Sequence, residues 1–241
     1  MSLLQKIVFL PIPSLKLPNA RTYLPNPPPC STIIESILPS AVNRIAISKG
    51  LQHSSLLVRF TTAISLGFSF QKLDNITLRF GEIAASIEII DPVNAKRWND
   101  IPNSMAEEMR RRVPDVQVLL KLHHDILAAE NLQKGPDDEE TMRNKFMREA
   151  VLRLIKFYQK YMPDSLFQSK FDIGRLIPAD FNRVAVGLVL HLLDLLFATD
   201  GFPWWNKNGY LFISTFFYVS NLDKLLTSLF VYLLQNPTFP I

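Results

Sequence analysis

Two groups of residues in this chain have types and spacing that could support chemistry. The first is His123-His124-Asp125, its one run of paired histidines. It is not a His-Glu-x-x-His zinc helix, and adjacent helical residues diverge by about 100° around the axis. His123 falls within an apolar face, which predicts a core histidine with satisfied polar atoms rather than a metal ligand. The second group is Arg183, His191 and Asp194, which share a helical stripe. His191 and Asp194 are three residues apart and can touch, and such a contact can orient a general base. No activated nucleophile accompanies them. The chain has no Gly-x-Ser-x-Gly turn, and its single cysteine, Cys30, ends a proline-rich arm. A structural polar pair between packed helices is the expectation. Phosphate-cradling glycine loops of either common spacing are absent, and eight glycines leave little material for one. No catalytic residue, metal, cofactor or small-molecule substrate is expected.

Basic residues are the better functional lead. Arg110, Arg111 and Arg112 are consecutive. On a helix expected over Asp137–Tyr161, Lys145, Arg153, Lys156 and Lys160 fall within an arc of about 80°, opposite the apolar face. A fixed positive stripe suits RNA phosphates or an acidic partner. An ordinary solvated helix face looks the same, and Glu149 offsets part of the charge. Trp204-Trp205 could stack on bases. They sit between proline and glycine with only Lys207 nearby, so anchoring their loop to the core is the expected role.

The elements that must position these residues read as helices throughout. The chain has 241 residues, 48% hydrophobic and 20% charged, enough to bury a sizeable core and unlike a disordered composition. One cysteine can form no internal disulfide, so a reducing compartment is the default. A formal charge of +4 favours RNA or acidic proteins without establishing either. Residues 1–30 form a proline-rich irregular arm ending in Pro27-Pro28-Pro29, with no export signal. Residues 31–241 form the helical region.

Ser31 is a candidate N-cap for Thr32–Leu38, and Pro39 interrupts. Ser40–Lys49 follows, with Gly50 expected as a left-handed stop. A long helix begins near Ser54 or Ser55 and passes Lys72, with Thr61, Ser65 and Lys72 on its polar stripe, and continues toward Ile90 across a candidate break at Asp74-Asn75. Gly67 is expected to permit a close helix crossing. A loop is expected over Asp91–Asn103, then a short basic helix from Ser104 to Arg112. Pro114 opens the next helix, which carries Val116, Leu119, Leu120, His123 and Leu127 on one face. The following helix runs to Tyr161 with Phe146, Ala150, Leu154, Phe157, Tyr158 and Tyr161 as its apolar face. Met162–Ala179 reads as irregular, Phe181–Ala198 as an apolar helix capped by Asp180, and Tyr210–Leu234 as one or two more. Val184–Thr199 holds His191 and Asp194, and Gly209–Leu222 is too short, so neither is expected to span a membrane. Strand alternation is absent. Successive helices that are apolar almost all round predict an all-α armadillo/HEAT-like helical repeat, an α-solenoid.

Three phrases, in order, carry a resemblance. Residues 49–60, Lys-Gly-Leu-Gln-His-Ser-Ser-Leu-Leu-Val-Arg-Phe, begin a long helix. Arg112-Val113-Pro114-Asp115-Val116-Gln117 sets a helix start. Ser169-Lys170-Phe171-Asp172-Ile173-Gly174-Arg175-Leu176 forms a short link. Together they resemble the nucleolar pre-ribosomal-associated protein 1 family, in its N-terminal domain for 60S ribosome biogenesis, from about residue 31 onward. The resemblance implies a non-catalytic helical-repeat scaffold of the nucleolus in early pre-60S assembly. Its implied partners are pre-rRNA and pre-60S assembly factors, a DEAD-box helicase among them. Family members are much longer, so this chain is expected to be a fragment or truncated copy. The rival expectation is an armadillo-like adaptor outside ribosome assembly, separable by localisation.

Overall fold

A computed structural model describes residues 26–132, 139–169 and 186–198, with the single positions 6, 10 and 176. Most of the arm 1–30, Arg183, Trp204-Trp205, residues 170–175 of the third family-like phrase and the expected Tyr210–Leu234 helices lie outside the described residues. The chain divides into two compact units, Met1–Lys170 and Phe171–Ile241. The described residues of the first form seven helices: α1 (Cys30–Ile37), α2 (Arg44–Leu51), α3 (Leu56–Ile87), α4 (Pro92–Arg112), α5 (Val116–Leu132), α6 (Glu139–Tyr161) and α7 (Pro163–Gln168). Those of the second include α8 (Val186–Phe197). The fold is all-α, with no strand among the described residues.

The 32-residue α3 is the axis of the first unit, packing against α1, α2, α4 and α6. Its sequence explains this. Ala63, Leu66, Phe70, Leu73, Ile76, Phe80 and Ile83 recur every three or four residues and are all buried. A second buried file, Ser65, Ser69 and Lys72, faces another way, so α3 is covered on more than one side. The expected break at Asp74-Asn75 does not occur. The hydroxyl of Ser69 is satisfied locally, donating to the Ser65 carbonyl at 3.1 Å. Lys72, expected on the narrow polar stripe, is buried. Its Nζ donates to the Ser36 carbonyl at 2.9 Å. That carbonyl belongs to the last turn of α1, where carbonyls lack helical partners and a cation is favourable. Burial pushes the Lys72 ammonium below the usual lysine range.

Further boundaries depart from expectation for identifiable reasons. The segment expected as a loop over Asp91–Asn103 is helical from Pro92 onward. Asp91 caps it, accepting from the Asn94 amide at 3.1 Å, and Pro92 fits the first turn. Pro102 sits inside and forfeits a helical bond. Burial of Trp98 and Met105 on either side offsets that loss, with Trp98 set edge-on to Phe80 at 5.1 Å. Pro163–Gln168 is a short helix rather than irregular, again with proline in the first turn. On α1 the helix starts at Cys30 behind Pro29, one residue before the expected cap Ser31.

Gly50 also departs. It lies within α2, not at a left-handed stop. A Cβ there would stand 2.6 Å from Oγ1 and 2.9 Å from Cγ2 of Thr62 on α3, so the glycine serves a close helix approach. At Gly67, the expected site of a close crossing, an added Cβ meets only Leu154 at an ordinary 3.9 Å. The two glycines should therefore respond oppositely in thermal melts. Gly67→Ala should stabilise by about 0.5–1 kcal/mol through helix propensity alone. Gly50→Ala should destabilise by about 1 kcal/mol, overpacking outweighing propensity, and Thr62→Ala in the same chain should reverse that sign. Equal responses at the two positions would refute the packing account.

Candidate nucleic-acid interface

The run Arg110-Arg111-Arg112 closes α4, where basic side chains complement the helix dipole. Arg112 differs from the other two. Arg112 is only 18% exposed and ties α4 to α1. One guanidinium nitrogen donates to Glu35 Oε1 at 2.7 Å and to the Leu38 carbonyl at 2.8 Å. Its Nε donates to Glu108 Oε1 at 3.2 Å. Burial opposes the Arg112 charge, yet Glu35 and Glu108 outweigh it and raise its pKa. The Glu35 carboxyl is held below its ordinary range by the Ser40 amide, then by Arg112. Arg112 is thus a structural clamp. Arg110 and Arg111 are exposed and make long ion pairs of 3.6–3.9 Å with Glu107 and Glu108. Such pairs contribute little and exchange readily. Arg112→Ala should cost about 1–2 kcal/mol by removing three charge-assisted bonds, those to Glu35 and the Leu38 carbonyl joining α4 to α1. Arg111→Ala should stay within about 0.5 kcal/mol. Equal costs in urea unfolding would remove the clamp.

The α6 stripe is likewise divided. Lys145 and Lys156 are half-buried. Arg153 donates to Gln71 Oε1 at 2.8 Å and lies 5.9 Å over the Phe68 ring. Lys160 bonds Asp74, which also accepts from the Tyr161 hydroxyl at 2.6 Å. Arg153 and Lys160 therefore each bridge from α6 to α3. Beneath them Phe70 stacks on Phe157 at 5.4 Å and on Tyr161 at 6.1 Å. The apolar face of α6 is broader than expected, since Met147, Val151, Leu152 and Ile155 are also buried, while Phe146 is 55% exposed. The face of α5 includes the expected Val116, Leu119 and His123, and adds Leu122 and Ile126.

His123 is 4% exposed and its Nε2 has no hydrogen-bond partner among the described residues, so the expected satisfied histidine is buried but not fully satisfied. His124 and Asp125 point outward. No group of three or more metal-ligating side chains occurs among the described residues. His191 and Asp194 lie one turn apart on α8, both half-buried. No described helix is long and apolar enough to cross a membrane.

Sequence reasoning missed the acidic and amide partners Glu35, Gln71 and Asp74, which come from distant elements. The Glu108–Arg112 pair was legible from its four-residue spacing. The resemblance finds support in one distant comparison. The chain is 20% identical over 213 residues to Nucleolar pre-ribosomal-associated protein 1 of Saccharomyces cerevisiae, a match covering 86% of this chain. No family model and no solved structure matches it. The chain spans about a tenth of the length of that yeast protein, to which it is distantly similar.

Proposed function

We propose that this chain is a non-catalytic scaffold segment acting in pre-60S ribosome assembly and pre-rRNA processing in the nucleolus. The observation that carries this reading is the distant similarity across 86% of the chain to a protein named for pre-ribosomal association. The ordered phrases in residues 49–60, 112–117 and 169–176 fall within the span of the resemblance, and the all-α fold is compatible with an armadillo/HEAT-like repeat. On the same reading its partners are pre-60S assembly factors, a DEAD-box helicase among them, and pre-rRNA. Lys145, Arg153, Lys156 and Lys160 of the α6 stripe, with exposed Arg110 and Arg111, are the RNA contacts, whereas Arg112 chiefly holds α4 to α1.

The test is affinity purification of the tagged chain from its own cells, followed by mass spectrometry and sequencing of bound RNA. Enrichment of large-subunit precursor RNA together with assembly factors is the expected result. Recovery of other proteins without ribosomal precursors would replace this reading with that of an unrelated adaptor. In vitro, Lys145→Glu with Lys156→Glu should weaken RNA binding and flatten its salt dependence, lowering the slope by about 0.7 for each phosphate no longer neutralised. Unchanged binding at low and high salt would remove the stripe.

A further inference from the structure

A cavity of about 350 Å³ opens where the end of α4, the start of α5, α2, the end of α6 and α7 come together. It falls at the lower end of the range of ligand cavities, about 300–1,000 Å³. Its lining is mainly polar: Arg44, Arg110, Gln117, Ser165, Gln168 and Ser169 contribute to it. It also joins two stretches of the sequence resemblance, the Pro114–Gln117 turn and Ser169.

Both arginines are only loosely engaged within the protein. Arg44 approaches Asp115 at 3.8 Å, and both side chains are more than half exposed. Arg110 approaches Glu107 at 3.9 Å. Exposed pairs at these distances hold little energy, so each guanidinium can transfer to a better anion without unfolding anything. The Asp115 carboxylate divides its oxygens, Oδ1 accepting the Gln117 amide at 3.0 Å and Oδ2 facing Arg44. The lining carries two guanidiniums and one carboxylate, with Glu107 against Arg110 from outside it, so an entering anion has only these long pairs to displace.

Polarity selects among anions. A peptide ligand gains most of its affinity from apolar anchor side chains, and this lining offers little apolar surface for one. Arginine pairs bind phosphate oxygens in fixed geometry, and amide and hydroxyl groups suit the remaining oxygens and ribose hydroxyls. We propose that this cavity binds a phosphodiester unit of single-stranded RNA, clamped between Arg44 and Arg110. The inference rests on the proposed role at pre-rRNA and names a separate point of contact from the α6 stripe.

The test is fluorescence anisotropy of a short labelled oligouridylate with the full chain, at several salt concentrations. Arg44→Gln with Arg110→Gln should weaken binding about ten-fold and lower the salt slope by about 0.7 for each phosphate released. Gln168→Glu, which removes neither arginine and places a carboxylate in the cavity lining, should weaken binding in the same direction. Circular dichroism melts near the wild-type value are expected for both variants, given their exposed positions. Full affinity in both cavity variants, with weakened binding in Lys145→Glu/Lys156→Glu, would overturn the cavity and leave the RNA role intact. No binding by the wild-type chain would overturn both.

Discussion

Phe70→Ala is expected to destabilise the first unit by about 4 kcal/mol, the upper range for deleting a fully buried aromatic ring. Phe70 is fully buried near the middle of α3. Its ring stacks on Phe157 at 5.4 Å with an interplanar angle of 10°, and meets Tyr158 at 5.6 Å and Tyr161 at 6.1 Å. Three of its four-ring cluster thus come from the last two turns of α6. Alanine would leave a void against rings that are themselves held from other sides. The Tyr158 hydroxyl donates to the Pro114 carbonyl at 2.8 Å, and the Tyr161 hydroxyl to Asp74. Those bonds limit collapse of the α6 rings into the gap, which is the condition for a large cavity cost. Burial raises the pKa of both tyrosines above the ordinary range, Tyr161 also through Asp74, so both remain neutral donors at neutral pH.

The measurement is urea unfolding of Phe70→Ala beside Phe70→Leu, which keeps most of the volume and should lose less. A melting drop on the order of 10 °C is expected for the alanine variant. A cost near that of an exposed substitution would refute the account of α3 and α6 as one packed pair. The consequence reaches the interface, because Arg153 and Lys160 hold their bridges to Gln71 and Asp74 only while the two helices stay in register.

The helical class was legible because apolar spacing repeats along nearly every segment, and that signal depends on local sequence alone. Which side of α6 meets solvent was not legible. The α6 stripe looks free of neighbours when the helix is considered alone, and Gln71 and Asp74, more than eighty residues away, decide that Arg153 and Lys160 reach across the surface to α3. Lys72 shows the same effect, since its place opposite the end of α1 depends on packing over thirty-six residues. The helix over Asp91–Asn103 was obscured by Pro92 and Pro102, whose helix-breaking tendency is local, while the burial of Trp98 that offsets it is tertiary. Gly50 carried a correct signal of necessity with the wrong cause, because a stop and a close approach both demand a missing Cβ. The cavity at Arg44 and Arg110 had no sequence signature, since its walls come from five separate elements.

His123 is expected to make the fold acid-sensitive. Burial foremost, then the positive charges of Arg148 and His124, lower its pKa from 6.5 to about 4. The sign follows from linkage. The folded state holds the imidazole neutral, whereas the unfolded chain takes up a proton near its ordinary pKa. Stability is therefore full above about pH 6.5 and is lost as pH falls toward about pH 4, by about 3 kcal/mol in all. Arg148 reaches this site from α6 and His124 flanks it on α5, so neither supplies a counter-charge to the protonated ring. Glu35 adds a loss of its own at lower pH, since a carboxyl held below its ordinary 4.5 costs stability only as pH falls from about that value downward. A subtraction isolates the histidine. Urea unfolding of wild type and His123→Leu at about pH 7 and about pH 4.5 should show a steeper loss in wild type, by roughly 2–3 kcal/mol. Parallel losses would mean that His123 gains a proton while folded. The α5–α6 packing would then have to open enough to hydrate Nε2, and the histidine would belong to the protein surface rather than its core.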